Sequence, residues 1–130
     1  MARHRNNQPT EVELEILGIL WEQKAASARE VHERLTTTRD TNYSTTVKML
    51  AVMVEKELVK RDESSRPIQF TASQSKKRTQ SKILKNVIQK AYDGSAGSLI
   101  MQALSSNKAS PEELAEIRNL LDRLDQNKSK

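Results

Sequence analysis

Residues 27–71 read, without interruption, as a helix, a short polar link, a second helix and two short strands. The first of these helices, SAREVHERLTT, opens on Ser27 with Glu30 three residues on. That spacing lets a cap hydroxyl and an N3 carboxylate each satisfy the other's backbone amide. A polar link over residues 38–42 follows. In YSTTVKMLAVMVEKEL the apolar residues Val47, Leu50, Ala51, Val54 and Leu58 recur three and four apart, which predicts a single buried face. Strands are expected at Val59–Asp62 and over residues 67–72, joined by the polar turn Glu63-Ser64-Ser65-Arg66. Ile68 and Phe70 alternate there with Gln69 and Thr71. Strands this short need a helix to pack on, and Val59, Ile68 and Phe70 supply an apolar side for it. A helix pair followed by such a hairpin is a winged helix-turn-helix, which sets its second helix in the major groove of duplex DNA.

On that reading Ser44, Thr45 and Lys48 are expected at base edges, because short hydroxyl and cationic side chains near a helix start suit the donors and acceptors of the groove. Thr46, with Lys60, Arg61 and Arg66 of the wing, is expected at the phosphate backbone. An ordinary helical hairpin with a polar outer face fits the helix pair alone equally well. The strands after it tip the balance.

Upstream, Thr10 and Glu13 form a second capping pair ahead of Leu14, Leu17, Ile19, Leu20 and Trp21, so another helix is expected to run to about Lys24 with Trp21 as a core anchor. The chain is therefore expected to be mainly α with a small β-hairpin wing, in three parts: a basic arm at residues 1–8, a winged-helix DNA-binding domain at 9–75 and a helical dimerisation region at 76–130. Charge follows the same division. Residues 1–73 hold eleven Lys/Arg and eleven Asp/Glu, whereas residues 74–130 hold eleven against six. Lys76, Lys77, Arg78, Lys82, Lys85 and Lys90 form a run without an acidic residue. Such a run either assists phosphate contact or is a solvated helix face.

Within 76–130 three helical patterns are expected. The first covers residues 80–92 and carries Leu84, Val87 and Ile88; a short second one, after a break bracketed by Gly94 and Gly97, carries Leu99 and Ile100. The third starts at Ser110, with Pro111 at N1 and Glu113 at N3, and spaces Leu114, Ile117, Leu121 and Leu124 as a coiled-coil seam. Fifty-odd residues with so few aromatics enclose little core by themselves. Two copies packing these stripes together is the economical arrangement, and it suits a reader of paired half-sites.

Catalytic chemistry is not expected. There is no cysteine, the two histidines (His4 and His32) lie outside any metal-spaced cluster, and no glycine-rich phosphate loop or nucleophile elbow occurs. No cofactor or metal is expected. No apolar run approaches a membrane span, and MARHRNNQPT lacks the apolar core of a secretory signal. The expected setting is the cytoplasm, with no membrane insertion.

The segments LEILGILWEQKAASAREVHERL, NYSTTVKMLAVMVEKELVKRD and PIQFTAS, in that order, resemble the BlaI/MecI/CopY family of bacterial repressors, and the likeness runs from Pro9 to Leu124. The resemblance implies a homodimer that represses beta-lactamase, methicillin-resistance or copper-homeostasis genes by binding a palindromic operator through its third helix. It implies partners in duplex operator DNA, a second copy of the chain and, in the antibiotic-responsive members, a membrane sensor-protease system. The stretch cut in those members corresponds to residues 99–104. Gln102-Ala103 then stands where the family has an Asn-Phe scissile pair. Two further departures are Glu57 in place of a usual Gly and Val52 in place of a common Arg. The thiolate cluster of the copper branch is absent. Two other functions fit the same residues: a protein-interaction adaptor built on a winged helix, or an architectural DNA binder without sequence preference.

Overall fold

The structure, a computed structural model, describes residues 8–128. The basic arm expected at 1–8 lies outside the described residues except for Gln8. Six helices and one hairpin follow in the order α1 (Glu11–Gln23), α2 (Ala28–Leu35), α3 (Tyr43–Glu55), β1 (Val59–Asp62), β2 (Gln69–Ala72), α4 (Lys76–Ala91), α5 (Ala96–Ser106) and α6 (Pro111–Lys128). This is the mainly helical, winged architecture that the sequence predicts. Two compact units divide between Leu84 and Lys85, inside α4, nine residues beyond the 75/76 boundary expected from composition.

Each early helix begins where its cap chemistry places it. Thr10 accepts from the Glu13 amide at 3.2 Å while Glu13 Oε1 accepts from the Thr10 amide at 2.9 Å. Ser27 and Glu30 repeat the pattern at 3.2 and 2.8 Å. Asn42, expected only as part of a link, caps α3 through a bond from the Thr45 amide. The core of the first unit is then Ile16, Leu17 and Leu20 of α1, Val31 and Leu35 of α2, Leu50 and Met53 of α3, with Ala26, Val59 and Phe70 closing it. Trp21 packs against this cluster, and its Nε1 donates to the Gln74 carbonyl at 2.9 Å.

The hairpin pairs antiparallel, Val59 with Ala72, Lys60 with Thr71, Arg61 with Phe70 and Asp62 with Gln69. The second strand starts at Gln69 rather than at residue 67. Ala26 adds an isolated bridge to Phe70, with backbone bonds of 3.1 and 2.8 Å in the two directions. This bridge ties the start of α2 to the wing, and no sequence pattern announced it.

In α3 the expected face is wrong in part. Leu50 is buried and Val54 and Leu58 pack against the core, but Val47 and Ala51 are exposed. Their places are taken by Thr46 and Met53, both fully buried. Residues 46, 50 and 53 follow the same 3.6-residue period as residues 47, 51 and 54, so two stripes overlap and a polar residue disguises the true one. Glu13 supports this setting from α1. Itself buried, it accepts from Lys56 Nζ at 2.7 Å, joining the start of α1 to the C-cap of α3.

Beyond the wing, α4 begins at Lys76, four residues before the expected start. The Ser75 hydroxyl accepts from the Arg78 amide at 3.1 Å, and Lys and Arg are good helix formers, so an apolar residue is not needed to continue the helix. Gly97, expected in the break, lies inside α5, because Ser95 caps that helix by accepting from the Ser98 amide at 3.0 Å. Gly94, at φ 80°, carries the turn. Ser110 and Glu113 form the expected reciprocal cap on α6, at 3.1 and 3.0 Å.

α3 ends in a Schellman arrangement, with Leu58 N–H donating to the Met53 carbonyl at 2.9 Å and Glu57 N–H to that of Val54 at 3.0 Å. The motif puts Glu57 at φ 65°, where a side chain is strained by the left-handed backbone. The turn keeps its usual form at that cost. Replacing Glu57 with Gly removes the strain but frees the unfolded chain, so a net gain of about 0.5–1 kcal/mol is expected. Urea unfolding followed by Trp21 fluorescence measures it, and an unchanged or lower midpoint counts against strain at this position.

Candidate nucleic-acid interface

The Asn42 carboxamide organises the start of α3. Its Oδ1 accepts from the Thr45 amide and from the Ser44 hydroxyl, both at 2.9 Å. Ser44, Thr45 and Lys48 are all exposed. Neither the Thr45 hydroxyl nor the Lys48 ammonium has an intramolecular hydrogen-bond partner among the described residues. At 3.6 residues per turn, Ser44, Lys48, Ala51 and Glu55 point most directly away from the core, with Val47 to one side and Thr45 and Val52 to the other.

Thr46 is not part of this surface. The sequence reading put it at the phosphate backbone, but it is 0% exposed and shares a 2.8 Å hydrogen bond with His32 Nδ1. Its hydroxyl also reaches the Asn42 carbonyl at 3.5 Å. A polar side chain can be buried here because it brings its partner with it.

Two residues not expected from the sequence adjoin this surface. Tyr43, the first residue of α3, receives the edge of the His32 ring at a centroid distance of 5.5 Å. The guanidinium of Arg29 stacks over the Tyr43 ring at 4.4 Å from its centroid. Arg29 is in the first turn of α2. An aromatic residue opening a helix, fourteen positions after an exposed arginine, was the only signal available.

Between the start of α2, the outer side of α3 and the wing lies a groove of about 580 Å³. Val47, Ala51 and Ile68 are among its lining, as are Arg29 and Arg61; Glu30, also on the lining, is held by the Ser27 cap. The wing places its cations unevenly. Lys60 and Arg61 are exposed on β1, and Arg61 Nε pairs with Glu63 at 3.1 Å. Arg66 turns back on the hairpin, donating to the carbonyls of Glu63 and Ser65 at 3.0 and 3.4 Å. Asp62 accepts from the Ser64 hydroxyl and amide at 2.6 and 2.9 Å, which holds its carboxyl below the usual value. The tip thus carries acidic as well as basic groups.

In the second unit no described residue is buried. Val87, Ile100, Leu121 and Leu124 are exposed and Ile88, Leu99, Leu114 and Ile117 half-buried; Leu84, last residue of the first unit, is exposed as well. Gln102 and Ala103 are both exposed within α5. Among the described residues no three or more acidic, histidine or cysteine side chains gather as metal ligands, and no helix is long and apolar enough to cross a membrane.

Residues 9–123 match the model of a family described as penicillinase repressor. The chain is 27% identical over 111 residues to the methicillin resistance regulatory protein MecI of Mammaliicoccus sciuri, covering 85% of this chain and 90% of that protein. MecI of Staphylococcus aureus strain N315 is 26% identical over the same shares. The penicillinase repressor of Staphylococcus aureus is 22% identical over 110 residues, 85% of this chain and 87% of its own.

The opposite placements of neighbouring threonines generate a direct check. Thr46→Val leaves the half-buried His32 nitrogen without its partner and should cost about 1 kcal/mol of stability. Thr45→Ala should stay within about 0.5 kcal/mol, as exposed substitutions do. Urea midpoints read by Trp21 fluorescence decide it; equal costs would mean that α3 is rotated from the setting described.

Proposed function

The chain belongs to the penicillinase repressor family, and on that footing we propose that it acts as a homodimeric, sequence-specific DNA-binding transcriptional repressor of the cytoplasm. The observation that carries this reading is the outer face of α3. Ser44, Thr45 and Lys48 stand exposed on a firmly capped helix start, and Arg29 and Arg61 line the groove beside the same helix, with Lys60 exposed next to Arg61. Hydroxyls and an ammonium reach base edges from such a position, while flanking guanidinium and ammonium groups hold phosphates. Arg29 adds a phosphate contact to those expected from the wing. Arg66, tied to its own turn, contributes less than Lys60 or Arg61. The relatives' names speak of repression and resistance regulation, which favours a repressor over an adaptor or an architectural binder.

Dimerisation belongs to the second unit together with Leu84. Apolar side chains that remain exposed on α4, α5 and α6 find their burial against a second copy, and two copies present two α3 helices to a palindromic operator. Severing the dimerisation region from the DNA-binding half releases the operator, because each half-site is then held singly. Gln102–Ala103 is the candidate position for a cut by a sensor-protease system. It lies in regular helix, where Gln102 accepts from the Tyr92 hydroxyl at 3.1 Å and its carbonyl from Ser106 at 2.6 Å. A protease needs this turn extended. In a single copy α5 has no buried residue to hold it closed, so local opening costs little in a copy released from the dimer.

Affinity measurements separate the roles of the cations. Lys48→Ala should cost about 1–3 kcal/mol on the preferred duplex and flatten discrimination among sequences, whereas Lys60→Ala or Arg61→Ala should weaken all duplexes alike and lower the salt slope. A protein with six to ten phosphate contacts should lose roughly 10³–10⁵ in affinity between about 50 and 200 mM salt. A flat salt response would remove DNA as the ligand.

Leu121→Asp places a charge in the proposed dimer seam, an unfavourable burial. The variant should sediment as a monomer and lose about 10²–10⁴ in apparent affinity, as should a chain cut after Gln102. Wild-type protein that sediments as a monomer at tens of micromolar would defeat the dimer.

A further inference from the structure

The groove beside α3 has a pattern that polar base readout does not use. Val47 is 41% exposed, and Ala51, one turn further on, is exposed as well. Both are on the lining of the groove that Ile68 completes from the wing, which Arg29, Arg61 and the cap-bound Glu30 share. An exposed apolar step on α3 with two guanidinium groups near it fits a ligand that is anionic at its margins and apolar along its centre. The major groove of duplex DNA has that form where it carries thymine: phosphates line both edges, and the thymine C5-methyl projects from the floor.

We propose that Val47 and Ala51 are specificity-determining residues that read thymine methyl groups in the operator half-site. This rests on the DNA-binding reading above and adds the sequence element that it recognises. Residues four apart on one helix face have Cβ atoms about 6 Å apart, and base pairs rise by about 3.4 Å. The two side chains therefore meet base pairs one or two steps apart. The half-site should carry thymines at that separation, beside the position read by Lys48. A buried methyl contact needs dry, matched surfaces, and both side chains are short enough to let α3 approach the groove floor closely. Neither offers a hydrogen bond, so cytosine, which presents an amino group there instead of a methyl, is disfavoured at those positions.

The full-length protein is first used to select binders from a randomised duplex library. Each thymine of the selected half-site is then replaced singly by uracil, which removes the methyl and nothing else. Because the protein is unaltered, folding does not enter. At least one thymine should lose about fourfold in affinity on replacement, the worth of one methyl-sized group buried. That loss should vanish in Val47→Ser or in Ala51→Gly, whichever faces the thymine; both sites are exposed, and circular dichroism verifies that the variants fold. Uracil replacements that all stay within twofold, or a methyl effect undiminished in both variants, overturn methyl reading while leaving sequence-specific binding intact. A library that yields no enriched sequence overturns specific DNA recognition itself.

Discussion

The candidate interface depends on one part-buried hydrogen bond, between His32 Nδ1 of α2 and Thr46 Oγ1 of α3. An α-helix carrying overlapping apolar stripes can settle in more than one rotation about its axis, and apolar burial alone separates those settings weakly. A buried hydroxyl is less tolerant. Left unpaired it costs about 1–3 kcal/mol, and with the Asn42 carbonyl only a long 3.5 Å partner the rotation in which Thr46 meets His32 is favoured. Everything that α3 presents outward follows from that choice, including the polar triad Ser44, Thr45 and Lys48 and the apolar pair Val47 and Ala51. His32 is placed in turn by α2, whose start is held by the Ser27–Glu30 cap and by the Ala26–Phe70 bridge to the wing.

Two further contacts keep α3 from moving along its axis. The Lys56–Glu13 pair holds its end against the start of α1, and the Schellman turn at Glu57 directs the chain straight into β1. Glu13 has three tasks at once: capping partner of Thr10, first-turn acid complementing the α1 dipole, and buried counter-ion of Lys56. A carboxylate is buried at this position because the Thr10 amide and the Lys56 ammonium both donate to its Oε1. In this way the wing, α1 and α2 all constrain the one helix that is proposed to read bases.

The second unit obeys different physics. Its helices have sound caps and regular apolar spacing, yet no described residue in it is buried. Local rules suffice to form such helices, but a tertiary core needs more apolar surface than three short stripes in a single copy supply. That contrast with the tightly packed first unit is the physical argument for self-association.

Local chemistry was readable in the amino-acid order. The caps at Thr10, Ser27 and Ser110, the wing strand at Val59–Asp62 and the winged architecture all rest on interactions within a few residues, which fixed offsets announce. Membership of the repressor family was readable in the same way, from the order of these segments. What escaped was decided by contacts distant in sequence. Thr46 looked like a surface hydroxyl because its partner is fourteen residues away. Val47 and Ala51 looked like core because apolarity and period are all that a single helix displays. Arg29 joined the site only through Tyr43, and Ala26 met Phe70 across more than forty residues. Sequence by itself determined where the capped helices α1, α2 and α6 and the first wing strand begin and which family the chain joins, since those depend on neighbours along the chain. Tertiary structure alone decided which side of α3 faces out, because a helix's rotation is set by the partners its buried groups find in space.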